Sequence, residues 1–199
     1  MIINNEVKFM HIPRTGGRCL SYLFKYNGHF CYGDNFVIKH NNIDLPHLTA
    51  LESRNFYIGS IFKKFTIVRN PLNRFISCLK NDSANNNEGI KYMFKNEKNF
   101  ILTIDSFRQQ KANNNWFEPQ INFIDKDTKI WRFEDGLGVE FFKFIKDNFN
   151  IELDPNKEYD AEEFTNKSVY TNTVELNEEQ KQYIKNYYFL DYKIFNYES

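Results

Sequence analysis

The chain has 199 residues, enough for one domain that buries roughly 70% of its unfolded surface. It is 41% hydrophobic and 18% aromatic, and its formal net charge is zero, which argues against a general nucleic-acid or membrane-surface binder. Three cysteines without a C-x-x-C pair point to neither a disulfide framework nor a zinc site.

The N-terminal run VKFMHI (Val7 to Ile12) predicts a strand. GGRCLSYLFKY follows with Leu20, Leu23 and Phe24 at helical spacing. Phe36 to Ile38 reads as a short strand and PHLTALESR as a short helix. FKKFTIVR (Phe62 to Arg69) predicts a second strand, and NPLNRFISCLKND a helix capped by Asn70 with Pro71 at its first position. Asn81 to Gly89 is a polar loop. EGIKYMFKN and KNFILTIDSFRQQ predict helices, joined by an Asn-rich connection to Pro119. TKIWRFED (Thr128 to Asp135) predicts a third strand, and GVEFFKFIKDNFN an amphipathic helix. Asp154 to Asn172 reads as irregular. LNEEQKQYIKNYYFLDYKIF closes the chain as one helix with Asn177 as N-cap. Strands that alternate with helices predict a single α/β domain, three-layered, with a mostly parallel central sheet between helices. The N-terminus lacks the pattern of a secretory signal, and no run approaches the ~20 apolar residues of a membrane span. With the cysteine usage, this favours a reduced, cytoplasmic setting.

In open α/β sheets, ligands sit at the carboxyl ends of strands. Two such ends are basic here. In HIPRTGGR, Gly16 and Gly17 permit close backbone approach, the next helix begins there, and Arg14 adds a forked cation. In VRNPLNRFIS, Arg69 ends the strand, while Arg74 and Ser77 share a helix face. Each alone reads as a turn or a helix cap. Together they suggest a ligand with two separated phosphates, such as a nucleotide phosphorylated at 5′ and 3′. A Walker A loop, G-x-x-x-x-G-K-[ST], is absent.

These motifs resemble those of sulfotransferases that use 3′-phosphoadenosine 5′-phosphosulfate (PAPS). HIPRTGG is similar to the family's H-I-P-K-T-G-G loop for the 5′-phosphosulfate, and FTIVRNPLNRFIS to its F-x-x-V-R-N-P-x-x-R-x-x-S motif for the 3′-phosphate. LPHLTALE, EPQINFI, IWRFEDGLGVEFFKFI and the C-terminal NKSVYTNTVELNEEQ…FLDYKIFNY also resemble family segments, in family order. The most similar branch is the carbohydrate type that includes heparan sulfate 2-O- and 6-O-sulfotransferases and many bacterial relatives; set against its Golgi-type members, the lack of a signal or anchor pattern suggests a bacterial or viral cytosolic enzyme.

The resemblance implies a P-loop-like sulfotransferase fold and transfer of a sulfuryl group from PAPS, without metal, to a hydroxyl of a glycan or small molecule. It implies that Arg14, Thr15, Gly16, Gly17, Arg18 and Cys19 hold the 5′ end of the nucleotide, with Arg14 stabilising the leaving group. Arg69 and Ser77 would hold the 3′-phosphate, with Arg74 in support. Lys167, Ser168 and Tyr170 would close over the nucleotide. His47 is the candidate general base, ahead of His40 and His29, while His11 reads as structural. Glu118 and Gln120 fit an acceptor contact or a loop role equally. Arg18–Cys19 stands where the family has Thr-Ser, Arg14 replaces a lysine, and Pro46 occupies a lysine position. A P-loop-type small-molecule kinase and a non-catalytic binder of 3′,5′-diphosphoadenosine (PAP) stay open as alternatives.

Overall fold

The computed structural model describes residues 1–33, 39–41, 43–58, 61–82, 91–109, 115–154 and 175–198. A five-stranded sheet has the spatial order β3-β1-β2-β6-β7, where β1 is Ile2–Ile3, β2 Val7–Met10, β3 Cys31–Tyr32, β6 Lys63–Val68 and β7 Thr128–Arg132. Its centre is parallel: β2 pairs with β6 and β6 with β7, with Phe9 opposite Phe65 and Val68 opposite Arg132. The edge is antiparallel, because β1 doubles back on β2 and pairs with β3. A separate two-stranded ribbon joins β4 (Lys39–His40) and β5 (Ile43–Asp44).

Alternation along the strands sorts the two faces. Val7, Phe9, Phe65 and Ile67 turn toward α1 (Gly17–Tyr26) and α5 (Val139–Phe149), meeting Leu20, Leu23, Phe24, Phe141, Ile145 and Phe149. Lys8 faces the other way, where its ammonium donates to Ser53 of α2 (Ala50–Phe56) and sits 3.7 Å from the Tyr57 ring centroid. Ile12 and Val68 meet Phe123 and Phe195 in a smaller cluster. A further aromatic core joins α3 (Pro71–Asp82), α4 (Glu97–Gln109), α6 (Glu178–Tyr187) and α7 (Phe189–Ile194) through Phe75, Phe100, Phe117, Ile184 and Tyr188. The architecture is α/β, a mixed sheet with a parallel centre flanked by helices, as the alternating pattern predicts.

Several boundaries differ from the sequence reading for identifiable reasons. PHLTALESR divides into a 3₁₀ turn (Leu45–His47) and α2, because the Thr49 hydroxyl accepts from the Glu52 N–H while Glu52 accepts from Thr49, a reciprocal cap that fixes the start at Ala50. The strand TKIWRFED ends at Arg132, and Phe133–Asp135 form a 3₁₀ turn. The closing helix is broken at Tyr188, whose hydroxyl donates to the Phe117 carbonyl at 2.7 Å. Asn177 does cap α6, accepting from the Gln180 N–H. The short strand expected at Phe36 to Ile38, most of the polar loop from Asn81 to Gly89, and the irregular segment's centre lie outside the described residues.

Candidate active site

The parallel centre brings three carboxyl ends together: the β2 exit (His11 to Gly16), the β6 exit (Arg69–Asn70) and the β7 exit (Phe133–Asp135). The first exit is bound to itself. The buried Thr15 hydroxyl donates to the Ile12 carbonyl at 2.8 Å. Arg14 and Gly16 both adopt left-handed backbone, with φ of 68° and 85°. For arginine that conformation is uncommon and strained, and it persists only where the surroundings impose it. Gly17 is required for a different reason. A Cβ there would lie 2.0 Å from Nε2 of His11, whose buried ring packs on the helix start.

The start of α1 is open. Gly16 caps it without a side-chain hydrogen bond, and its first turn has no acidic residue. The first N–H groups of a helix have no intrahelical acceptor, so this end favours an anion. Arg18 is exposed on that turn. Cys19 is half-buried, and burial pushes its thiol pKa up, away from nucleophilic behaviour.

The second exit is braced by Gln120, which accepts from the Arg69 N–H at 2.9 Å and donates to the Arg69 carbonyl at 2.8 Å. Gln120 is held by Asp191, whose carboxylate accepts from the Gln120 and Ile121 N–H groups at 2.8 and 3.0 Å. Asn70 caps α3 by accepting from the Asn73 N–H at 3.1 Å. Burial lowers the Arg69 pKa and Glu134 opposes the shift; a guanidinium stays cationic throughout.

Two contacts join the exits. Arg14 donates from Nε to the Ser77 hydroxyl at 3.1 Å, and Arg69 donates from NH1 to the Arg14 carbonyl at 3.2 Å. Arg14, Arg69 and Ser77, named from two separate motifs, therefore form one cluster. Arg74 takes another position. The residue is only 1% exposed, and its guanidinium donates to the Trp116 and Glu118 carbonyls at 2.8 and 2.7 Å, so it holds the chain segment ahead of Gln120.

His47 enters from the 3₁₀ turn after β5. Its ring centroid is 4.9 Å from that of His11, which places it beside the first exit. Its carbonyl accepts from Asn115 Nδ2 at 3.1 Å, and the same amide donates to Glu52 in the α2 cap at 2.9 Å. Burial above all, then the positive charges of the chain's amino group, Arg18 and Arg14, lowers the His47 pKa to about 3. Burial likewise moves His11 well below its ordinary value. Both rings are neutral at pH 7.

Other candidates sit elsewhere. His29 bridges Asn4 and the Glu152 carbonyl at the antiparallel edge, and His40 packs edge-on against Phe56. Glu118 pairs with Arg108 at 3.2 Å and accepts from Asn122. Lys167, Ser168 and Tyr170 lie outside the described residues. Among the described residues there is no group of three or more His, Cys, Asp or Glu side chains arranged to hold a metal ion. None of the described helices is long and apolar enough to cross a membrane.

Phe133, Asn115 and Asp191 had no individual reading in the sequence. Phe133 and Asp191 fall in segments that resemble the family as blocks, IWRFEDGLGVEFFKFI and the C-terminal FLDYKIFNY. Asn115 stands in an Asn-rich run that carries no signal.

Comparison with curated proteins and with solved structures gives no match. A profile of the sulfotransferase family, by contrast, matches residues 3–198. That span takes in both basic strand exits, the IWRFED unit and the C-terminal helices, and the chain belongs to the sulfotransferase family, whose chemistry is sulfuryl transfer.

Proposed function

We propose that this chain, as one sulfotransferase domain, moves a sulfuryl group from PAPS to a hydroxyl of a carbohydrate, in the manner of the heparan sulfate 2-O/6-O branch. The observation that carries the reading is the joining of two cationic strand exits through Arg14, Ser77 and Arg69. A donor with anions at both ends suits that arrangement. The open start of α1, with Thr15, Gly16, Gly17, Arg18 and Cys19, takes the phosphosulfate end. Arg69 and Ser77 take the 3′-phosphate, and Arg74 supports them through the Trp116–Glu118 segment.

PAPS supplies an activated sulfuryl group, and sulfuryl transfer resembles phosphoryl transfer in needing positioning and charge stabilisation more than covalent work. The acceptor oxygen–sulfur bond forms as the sulfur–bridging oxygen bond breaks, and the electron pair leaves on the 5′-phosphate of PAP. Arg14 stabilises that charge, its forked head fixed by Ser77. His47 takes the acceptor proton. Burial keeps its imidazole neutral and able to accept, but a pKa of about 3 makes a weak base. A polyanionic donor beside Arg14 and Arg18 offsets two of the lesser charges that hold His47 down and raises its pKa, while burial, the largest cause, acts against that rise.

The test is transfer of labelled sulfate from PAPS to a panel of oligosaccharides by the wild type and by His47→Ala. Transfer lost in His47→Ala, with PAP still bound, supports the reading. Full turnover in His47→Ala on a verified acceptor sinks the base assignment. PAP binding without transfer to any acceptor leads to the non-catalytic alternative, which the deep burial of His47 favours.

A further inference from the structure

Phe133 lies just beyond β7, yet its ring belongs to the other two strand exits. A Cβ on Gly16 would stand 3.2 Å from Phe133 Cε2, so the ring covers the left-handed residue that caps α1. The Arg69 guanidinium carbon lies 4.5 Å from the ring centroid. That guanidinium is also the donor to the Arg14 carbonyl, so the cation that links the exits rests on this ring. The ring's own chain is anchored on either side. Arg132 donates to the Phe195 and Asn196 carbonyls, while Glu134 accepts from the Asn70 N–H at 2.8 Å and the Tyr197 hydroxyl at 2.7 Å. Glu134 thus ties the turn that carries Phe133 to the residue that follows Arg69.

An arginine side chain has many rotamers, and fixing one of them opposes binding. A ring that supports the guanidinium plane before ligand arrives removes part of that cost. The same ring bears on Gly16, so displacement of either exit is felt by the other.

We propose that Phe133 is a positioning residue that couples the two anion-holding exits, so that it sharpens the preference for a nucleotide phosphorylated at both 5′ and 3′ over one with a 5′-phosphate alone. The proposal rests on the two-anion reading above. Its mark is selectivity: loss of the ring weakens the doubly phosphorylated ligand far more than the singly phosphorylated one, because only the former engages Arg69.

The experiment is calorimetric titration of PAP, 5′-AMP and adenosine into the wild type, Phe133→Leu and Phe133→Tyr, with ligand-free melting of each. Phe133→Leu is expected to lose roughly tenfold in PAP affinity, a size consistent with a partly desolvated cation–π contact. Its loss for 5′-AMP is expected to stay under about threefold, and Phe133→Tyr, which keeps the ring, restores PAP affinity. If Phe133→Leu does not fold, Phe133→Met fills similar volume without a ring face and carries the same expectation. Equal losses for PAP, 5′-AMP and adenosine would overturn the proposal, since the ring would then contact the nucleoside or shape the first exit alone. An unchanged PAP affinity in a folded variant would overturn it too. Absence of PAP binding by the wild type would instead remove the two-anion reading itself, and the coupling with it.

Discussion

The two basic strand exits solve the same problem in different ways. After β2, the backbone is the instrument: Arg14 and Gly16 are left-handed, and α1 starts on glycine with no side-chain cap. After β6, the helix start is closed, since Asn70 accepts from the Asn73 N–H, and the charge is carried by the Arg69 side chain on a braced main chain. The α2 and α6 helices, which have capping boxes and acidic first turns, are closed like the second. The difference teaches where ligand binding and stability can be separated. At the second exit they reside in neighbouring residues, and at the first they reside in the same atoms.

The largest expected effect concerns the histidine on the first exit's side. His47→Ala should lower turnover by about 10²–10⁴-fold, the usual worth of a general base, with PAP affinity little changed in a binding titration. Next comes the second exit's cation. Arg69→Ala should weaken PAP by roughly 10- to 150-fold, the worth of about 1.5–3 kcal/mol for hydrogen bonds to a charged group, and leave 5′-AMP much less affected. Gly17→Ala should damage binding and folding together. Its Cβ would collide with the His11 ring, and overpacking of this kind costs about 1–3 kcal/mol, measurable by denaturant unfolding. By contrast, Asn70→Ala should cost about 1 kcal/mol of stability as a lost cap while PAP affinity in the folded protein changes little. If Asn70→Ala and Gly17→Ala behave alike, the contrast between the exits fails.

A separate effect is in pH. Burial lowers the pKa of folded His47 from 6.5 to about 3, so the folded state binds fewer protons than the unfolded chain in that window. The stability this contributes is present above about pH 6.5 and is lost as pH falls toward 3, with His11 acting in the same direction. A plot of melting temperature against pH over that range should be shallower in His47→Gln than in the wild type.

Much of this was legible because the signals are local. The strands β2, β6 and β7 and the helices α1, α3 and α5 follow from apolar spacing, and Gly16–Gly17 and Asn70–Pro71 mark the strand exits. The antiparallel edge was not legible, since Ile2–Ile3 and Cys31–Tyr32 are two-residue strands with no period to detect. The single closing helix misled because propensity continues through Tyr188, where the backbone leaves helical geometry (φ −96°, ψ 22°) although the Tyr192 N–H still donates to the Tyr188 carbonyl. Arg14, Arg69, Ser77 and His47 were visible as types in motifs, while the residues that hold them were not. Asn115 reaches His47 across 68 positions and Asp191 reaches Gln120 across 71, and no pattern along one chain encodes such distances.

The central claim is that the joined exits form one cradle for two anions. The most direct measurement compares the melting temperature of the wild-type chain with PAP, 5′-AMP and Mg²⁺–ATP at matched concentrations. A ligand of the folded state stabilises by RT ln(1 + [L]/Kd), about 2.7 kcal/mol at 100 Kd. A large upward shift with PAP, a small one with 5′-AMP and none with Mg²⁺–ATP is the predicted result. A shift with Mg²⁺–ATP alone, or equal shifts with PAP and 5′-AMP, would contradict it.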